Sequence, residues 1–246
     1  MRMAVATVPL PCCVRSLFQK AGKPMSELQV IINPSGISYA DSYKQQLELF
    51  DRAIEAKHRG ELPRQYLIFN EHKPVITLGL NAKEESLLYP EEQIRRAGID
   101  LVRTNRGGDA TYHGPGQWTV YPILDLEQLH LGIRRYVAAL EEVACTVLRR
   151  YGLTGELMDD APGVWLHTDD YPRKVCALGV RASRFVTMHG IAFNVNTHED
   201  AYHWINPCGF SDRGVTSLAR ELGHEIPMVE AKDALLDAFR EVFSFD

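Results

Sequence analysis

The chain has 246 residues, with 27 Lys plus Arg against 32 Asp plus Glu and a formal net charge of -5. That balance argues against a nucleic-acid binder, which needs a basic surface to meet phosphates, and no apolar run approaches the roughly 20 residues that cross a bilayer. Cys12, Cys13, Cys145, Cys176 and Cys208 form no CxxC pair, so they read as reduced thiols of a cytosol-like compartment and not as a disulfide framework.

Residues 1–26 carry Arg2, Arg15, Lys20 and Lys23 but no acidic side chain. Three readings are open for them: a mitochondrial-type targeting peptide, a disordered extension, or a start placed ahead of a true one at Met25. From residue 27 to residue 246 there is no repeat, low-complexity tract or long Gly/Ser linker, which predicts one domain. Leu28 to Ile32 reads as a short strand. Tyr39 to Lys57 places Tyr43, Leu47, Phe50, Ala53 and Ile54 at helical spacing. Gln65 to Asn70 and Val75 to Leu80 read as strands joined through a turn at Lys73-Pro74. A short helix over Pro90 to Ala97 starts with Pro at its first position. Leu101 to Thr104 and Trp118 to Ile123 read as strands around a glycine-rich loop. Ile133 to Tyr151 is an amphipathic helix ended by Gly152. Strands over Gly163 to His167, Lys174 to Arg181 and Phe185 to Val195 follow, with a turn at Thr168-Asp169-Asp170, and Glu230 to Phe243 closes the chain as a helix. Strands and helices are segregated, so the predicted class is α+β with an antiparallel or mixed sheet.

Four segments have the composition of a site. The first is Arg106, Gly107, Gly108, Asp109, Ala110, Thr111, Tyr112, His113, then Gly114-Pro115-Gly116-Gln117. Its glycines let backbone N–H groups approach a ligand, although a tight turn holding one core histidine reads equally well. It is neither a P-loop nor a dinucleotide fingerprint. The second is Lys174-Val175-Cys176-Ala177-Leu178-Gly179; strict strand alternation puts Lys174, Cys176 and Leu178 on one face and Ala177 and Gly179 on the other. The third is Thr187-Met188-His189-Gly190-Ile191-Ala192-Phe193-Asn194, where small Gly190 and Ala192 leave room against one face, or simply pack. The fourth is Ile205-Asn206-Pro207-Cys208-Gly209. Flanking Pro and Gly put Cys208 in a turn, whereas Cys145 lies within a helix. No histidine pair has a usual zinc spacing, so no metal is expected.

Together and in this order, RGGDATYHGPGQ, KVCALG, MHGIAFN, INPCG and GVTSL resemble the lipoyl(octanoyl) transferase family over about Ile31 to Phe243. Met188 departs from the Thr that often precedes His-Gly there. The resemblance implies the fold of the biotin and lipoate protein ligase catalytic domain: a mixed sheet flanked by helices. It implies an acyltransferase that needs no cofactor and moves an octanoyl group from octanoyl-acyl carrier protein to a specific lysine of lipoyl domains. Those acceptors are the acyltransferase subunits of 2-oxoacid dehydrogenases and the glycine cleavage H protein. By matching positions, Cys208 is the nucleophile that carries the acyl thioester, and Lys174 lowers its pKa and serves as acid and base. Substrate contacts fall to Arg106, Gly107, Gly108, Asp109, Ala110, Thr111, Tyr112, His113, Ala177, Leu178, Gly179, Gly190, Ile191 and Ala192. The implied compartment is the cytoplasm, or the mitochondrion in a eukaryotic source. An ATP-dependent ligase on the same fold needs no cysteine nucleophile, so a turn cysteine favours the transferase.

Overall fold

Apolar strands assemble two sheets in the computed structural model of the protein, which describes residues 26–167, 169–206 and 213–245. The elements run β1 (Leu28–Ile32), α1 (Tyr39–His58), β2 (Gln65–Asn70), β3 (Val75–Leu78), α2 (Glu91–Arg96), β4 (Asp100–Arg103), β5 (Ala110–His113), β6 (Gln117–Ile123), α3 (Ile133–Arg150), β7 (Glu156–Leu157), β8 (Val164–Leu166), β9 (Arg173–Ser183), β10 (Val186–Asn194), β11 (Gly214–Val215), α4 (Leu218–Leu222) and α5 (Met228–Phe243). The larger sheet has the order β1-β2-β6-β10-β9-β8-β7, with β11 added alongside β9. It is mixed: β1 lies parallel to β2 and β11 parallel to β9, and the remaining pairs are antiparallel. The smaller sheet has the order β4-β3-β5.

Helices cover both faces of the large sheet. In α3, Tyr136, Leu140, Val143 and Val147 recur at helical spacing, and they pack with Leu235, Ala238, Phe239 and Val242 of α5 against Leu67, Phe69, Val120, Ile191 and Phe193. On the opposite face, Leu49, Phe50 and Ala53 of α1 meet Ile68, Tyr121, Ile123 and Met188. With both faces covered, β6 and β10 are buried at every position, so alternation vanishes at the centre of the sheet. Truncating a fully buried residue such as Leu140 to Ala removes packing worth about 2–5 kcal/mol.

The consecutive strands β2 and β3 do not pair with each other. β2 joins β6 in the large sheet, and β3 joins β4 and β5 in the small one. The predicted glycine-rich loop also contains a strand, because Ala110–His113 pairs along β3. The chain therefore crosses between sheets at residues 71–74 and again at 114–116, and this leaves a space between them.

Candidate active site

That space is a cavity of about 500 Å³ lined from both sheets, α1 and the segment ending at Asn206. Of the residues expected to form a site, Arg106, Gly108, Asp109, Ala110, Thr111 and His113 line it from the small-sheet side. Lys174, Ala177, Leu178, Gly179, Gly190, Ile191 and Ala192 line it from β9 and β10. Gly107 and Tyr112 are not in the lining. Gly107 donates its N–H to Val180 O at 3.0 Å, and Tyr112 packs edge-on against Tyr202 inside the small core cluster. Cys208 and the Pro and Gly beside it lie outside the described residues, as do Cys12, Cys13, Thr168 and residues 1–25. The described residues on either side of 207–212, Asn206 and Arg213, both line the cavity.

Arg106 is nearly buried, and its guanidinium is consumed inside the fold. Nε and Nη2 donate to Thr77 Oγ1 at 3.1 and 2.9 Å, Nη2 also donates to Thr77 O, and Nη1 donates to Gly107 O at 3.1 Å. The loop that carries it presses on two glycines. A Cβ at Gly79 would stand 2.3 Å from Gly108 O, and one at Gly179 would stand 2.8 Å from Gly107 O. Asp109 closes the loop by accepting from Ser86 Oγ at 2.5 Å and from the Ala110 N–H at 2.7 Å.

From Arg106 a hydrogen-bond chain of fixed polarity runs across the cavity wall. Gln117 Nε2 faces Tyr112 O, Asn194 Oδ1 and Tyr202 OH, each at 3.0 Å, so its Oε1 faces His113 Nδ1 at 2.8 Å. On that pattern Nδ1 carries the His113 proton, and Nε2 is left to accept from Thr77 Oγ1 at 3.4 Å. His113 stays neutral: burial first, then repulsion from His72, hold its pKa well below the ordinary value. Two more buried histidines share this behaviour. His72, bonded to Tyr121 OH at 2.9 Å, is pushed down to about 4, mainly by burial. His189 is pushed down to about 3 by burial and then by the charges of Arg106 and Arg181. Tyr39 and Tyr43 stack between these rings.

His189 sits in a strand with φ of 57°, a left-handed backbone that costs a non-glycine residue energy. Its N–H donates to Gln46 Oε1 at 3.0 Å, and its Nε2 pairs with Asn105 Oδ1 at 2.7 Å. Gly190 beside it is small for a reason other than space for a ligand. A Cβ there would stand 2.2 Å from Val120 O, so β6 occupies the room that the sequence reading assigned to something bound.

Lys174 reaches the cavity because β9 carries a bulge. Val164 pairs with Cys176 while Trp165 pairs with Lys174, which leaves Val175 as an extra residue. The extra residue corrects the expected alternation. Cys176 lies in the large core, Leu178 packs against that core at the cavity edge, and Lys174 joins Ala177 and Gly179 at the cavity. The Lys174 ammonium donates to Pro162 O at 2.9 Å and lies 4.6 Å from the Trp165 ring centre, a cation–π contact. Arg213 also approaches this indole, at 5.8 Å, and is paired with Asp160 at 2.8 Å. Cys176 and Cys145 are both buried, and burial followed by the Glu141 charge pushes the Cys176 thiol far up. Cys176 is therefore not a thiolate at neutral pH.

Sequence reasoning missed the 160–165 segment, Glu141, His72 and the tyrosines of the cavity wall. The Pro162-Gly163 pair ahead of an aromatic strand residue was the available signal; the others are long-range contacts with no local mark. The basic residues Arg103, Arg106, Arg173, Lys174, Arg181 and Arg184, which stand in or near the motifs, do not form one surface. Arg106 is internal, Arg173 pairs with Glu221, and Arg181 lies over the Phe50 ring. Among the described residues no group of three His, Cys, Asp or Glu is placed to hold a metal ion, and no helix is long and apolar enough to cross a membrane.

The model of the lipoyl protein ligase A/B catalytic domain matches residues 42–240. An octanoyltransferase of Parabacteroides distasonis is 47% identical over 210 residues, which cover 85% of this chain and 95% of that one. An octanoyltransferase of Bacteroides fragilis is 48% identical over 200 residues, 81% of this chain and 90% of that one. Among solved structures, a bipartite lipoate protein ligase from Thermoplasma acidophilum superposes with a TM-score of 0.64 at 18% identity, covering 90% of this chain and 85% of that one. Lipoate-protein ligase A bound with ATP gives 0.62 at 19% identity, with 91% and 87% covered. At those identities the likeness to the two ligases is one of fold.

Proposed function

The chain belongs to the lipoyl protein ligase A/B catalytic-domain family, among its octanoyltransferases, and on that premise we propose how this acyltransferase moves an octanoyl group in protein lipoylation. The donor is octanoyl-acyl carrier protein. Its thioester carbonyl is attacked by Cys208, the carrier's thiol leaves with a proton, and an octanoyl thioester remains on the enzyme. The amine of a lipoyl-domain lysine then attacks that thioester, an amide forms, and Cys208 recovers its proton. Acceptors are the lipoyl domains of 2-oxoacid dehydrogenase acyltransferase subunits and the glycine cleavage H protein.

One observation carries this reading: Asn206 and Arg213, the described neighbours of the segment that holds Cys208, line the cavity that the Lys174 side chain also lines. A free thiol has a pKa of about 8.5, so only a few per cent is ionised at neutral pH. An ammonium at Lys174 favours the thiolate, and the neutral amine can later take the proton of the incoming lysine. The first step exchanges one thioester for another and is nearly balanced; the second makes an amide and is downhill. Because the donor arrives activated, no nucleotide enters. Backbone N–H groups at Gly108 and Asp109, which line the cavity, would serve the oxyanion of each tetrahedral intermediate.

The cavity suits an acyl chain. About 500 Å³ lies within the range of small-molecule sites, and His113 and His189 on its wall are neutral, so burying a hydrocarbon tail beside them strands no charge. Burying the octanoyl methylenes contributes on the order of 5 kcal/mol. The experiment is to supply octanoyl-acyl carrier protein and an apo lipoyl domain without ATP. Octanoylated lipoyl domain is the expected product. Product only from free octanoate plus ATP would replace the transferase reading with a ligase one.

A further inference from the structure

Glu141 lies on α3, outside every motif of the site, yet it ends at the turn that holds Lys174. Its Oε1 accepts the Gly163 N–H at 3.1 Å, while Lys174 Nζ donates to Pro162 O, one residue earlier, at 2.9 Å. A carboxylate and an ammonium therefore grip the same short turn. The turn cannot slide to suit them: Gly163 has φ of 115°, and a Cβ there would stand 2.5 Å from Cys176 O and 3.4 Å from Lys174 Cδ. The turn is also tied from its other side, where Trp165 Nε1 donates to Ala161 O at 2.9 Å and the Trp165 ring lies against the Lys174 ammonium.

We propose that Glu141 is a positioning residue for the transfer reaction, which fixes the Pro162-Gly163 turn and supplies the negative charge that holds the Lys174 ammonium at the cavity. The proposal rests on the reading of Lys174 given above. Glu141 is half-buried, so its carboxylate is stabilised by a firm donor and a nearby cation more than a fully solvated one would be. Burial raises the Glu141 pKa, and the Gly163 N–H and the Lys174 charge oppose that rise. The other charged or titratable groups around Lys174 are Cys176 on its own strand, which burial keeps protonated, and Arg213 with its partner Asp160 beyond the indole. Arg173, next in the strand, is paired with Glu221 of α4. Glu156 stands on β7 opposite Trp165. Of these acids, Asp160 and Glu221 have their own arginine partners, whereas Glu141 reaches the Lys174 turn directly.

The two functions of the carboxylate separate by substitution. Glu141→Gln keeps an oxygen for the Gly163 N–H and removes the charge; Glu141→Ala removes both. With octanoyl-acyl carrier protein and an apo lipoyl domain, the alanine variant loses kcat on the order of 10²-fold, the scale of a misplaced catalytic group, while KM for the donor stays close to that of the unaltered enzyme. The glutamine variant keeps most of its kcat. Without the neighbouring negative charge the ammonium gives up its proton more easily, so the limb of the pH profile governed by Lys174 moves to lower pH. Melting curves accompany each variant, and if the alanine protein does not fold, the isosteric glutamine variant carries the test. Lys174→Ala is measured alongside. An inactive Lys174→Ala together with wild-type kcat and pH profile in both Glu141 variants overturns the role of Glu141 and leaves that of Lys174. A loss of kcat in Glu141→Gln that follows a loss of melting temperature, with no movement of the pH profile, also overturns it. A fully active Lys174→Ala removes the reading of Lys174 and this proposal with it.

Discussion

Acidification from pH 7 to pH 5 destabilises this fold by an amount that can be worked from two of its buried histidines. His72 and His189 have folded pKa values pushed from 6.5 to about 4 and about 3, with burial the largest cause in each. The unfolded chain binds protons at these side chains as pH falls through 6.5, while the folded chain does not until pH falls further. Stability is therefore fully present above 6.5 and lost below it, down to the folded pKa values. At pH 5 both rings are still neutral in the fold, so the loss depends little on where between 3 and 4 they titrate. Each ring costs about 2 kcal/mol by then, at 1.36 kcal/mol per pH unit over about 1.5 units. Together they remove about 4 kcal/mol from a total of roughly 5–15 kcal/mol. His113 adds in the same direction. For a domain of this size that corresponds to a fall in Tm of roughly 10 °C. Calorimetry or chemical denaturation at pH 7 and pH 5 measures it, and His72→Gln should remove about half of the two-histidine share. A Tm unchanged between the two pH values would refute the claim that the fold around the cavity is packed on neutral histidines.

Other perturbations act on the walls and the lysine. Gly79→Ala forces the Gly108 carbonyl to move from a 2.3 Å overlap, so it should cost about 1–3 kcal/mol and lower transfer by shifting the Arg106–Asp109 loop; wild-type kinetics would show that the loop position is immaterial. Arg106→Lys cannot reproduce the forked contact with Thr77, and a loss of about 2 kcal/mol is expected from denaturant titrations. Trp165→Leu takes away the face on which the Lys174 ammonium rests, so kcat should fall while the melting temperature changes less than in Leu140→Ala; the reverse order would make the indole a packing residue. Lys174→Ala should slow alkylation of Cys208 at neutral pH and recover at higher pH, and an unchanged alkylation profile would remove the lysine from activation.

Periodicity in the sequence carries β1, α1, β2, α3 and the body of α5, because each is long enough for its apolar residues to repeat. It fails at β7 and β11, where two residues cannot show a period, and at α4, where five barely make a turn. β5 is hidden by the glycines around Ala110–His113, and its pairing with β3 depends on a partner more than thirty residues earlier. The site shows the same division. Arg106, His113 and Lys174, named from contiguous motifs, line one cavity, and so does His189, which stands in a motif but is not among the named contacts. Glu141, His72 and Trp165 belong to the same region only through contacts made by folding. The face of Lys174 was misread for a related reason: one extra residue in a strand reverses an alternation that the sequence presents as regular.

The reaction proposed for this chain passes through a covalent acyl-enzyme, and intact-mass spectrometry after incubation with octanoyl-acyl carrier protein alone looks for it directly. The expected result is a gain of one octanoyl group on Cys208, reversed by hydroxylamine, absent in Cys208→Ser, and discharged on adding an apo lipoyl domain. An adduct on Cys176 or Cys145, or transfer at full rate by Cys208→Ser, would contradict it.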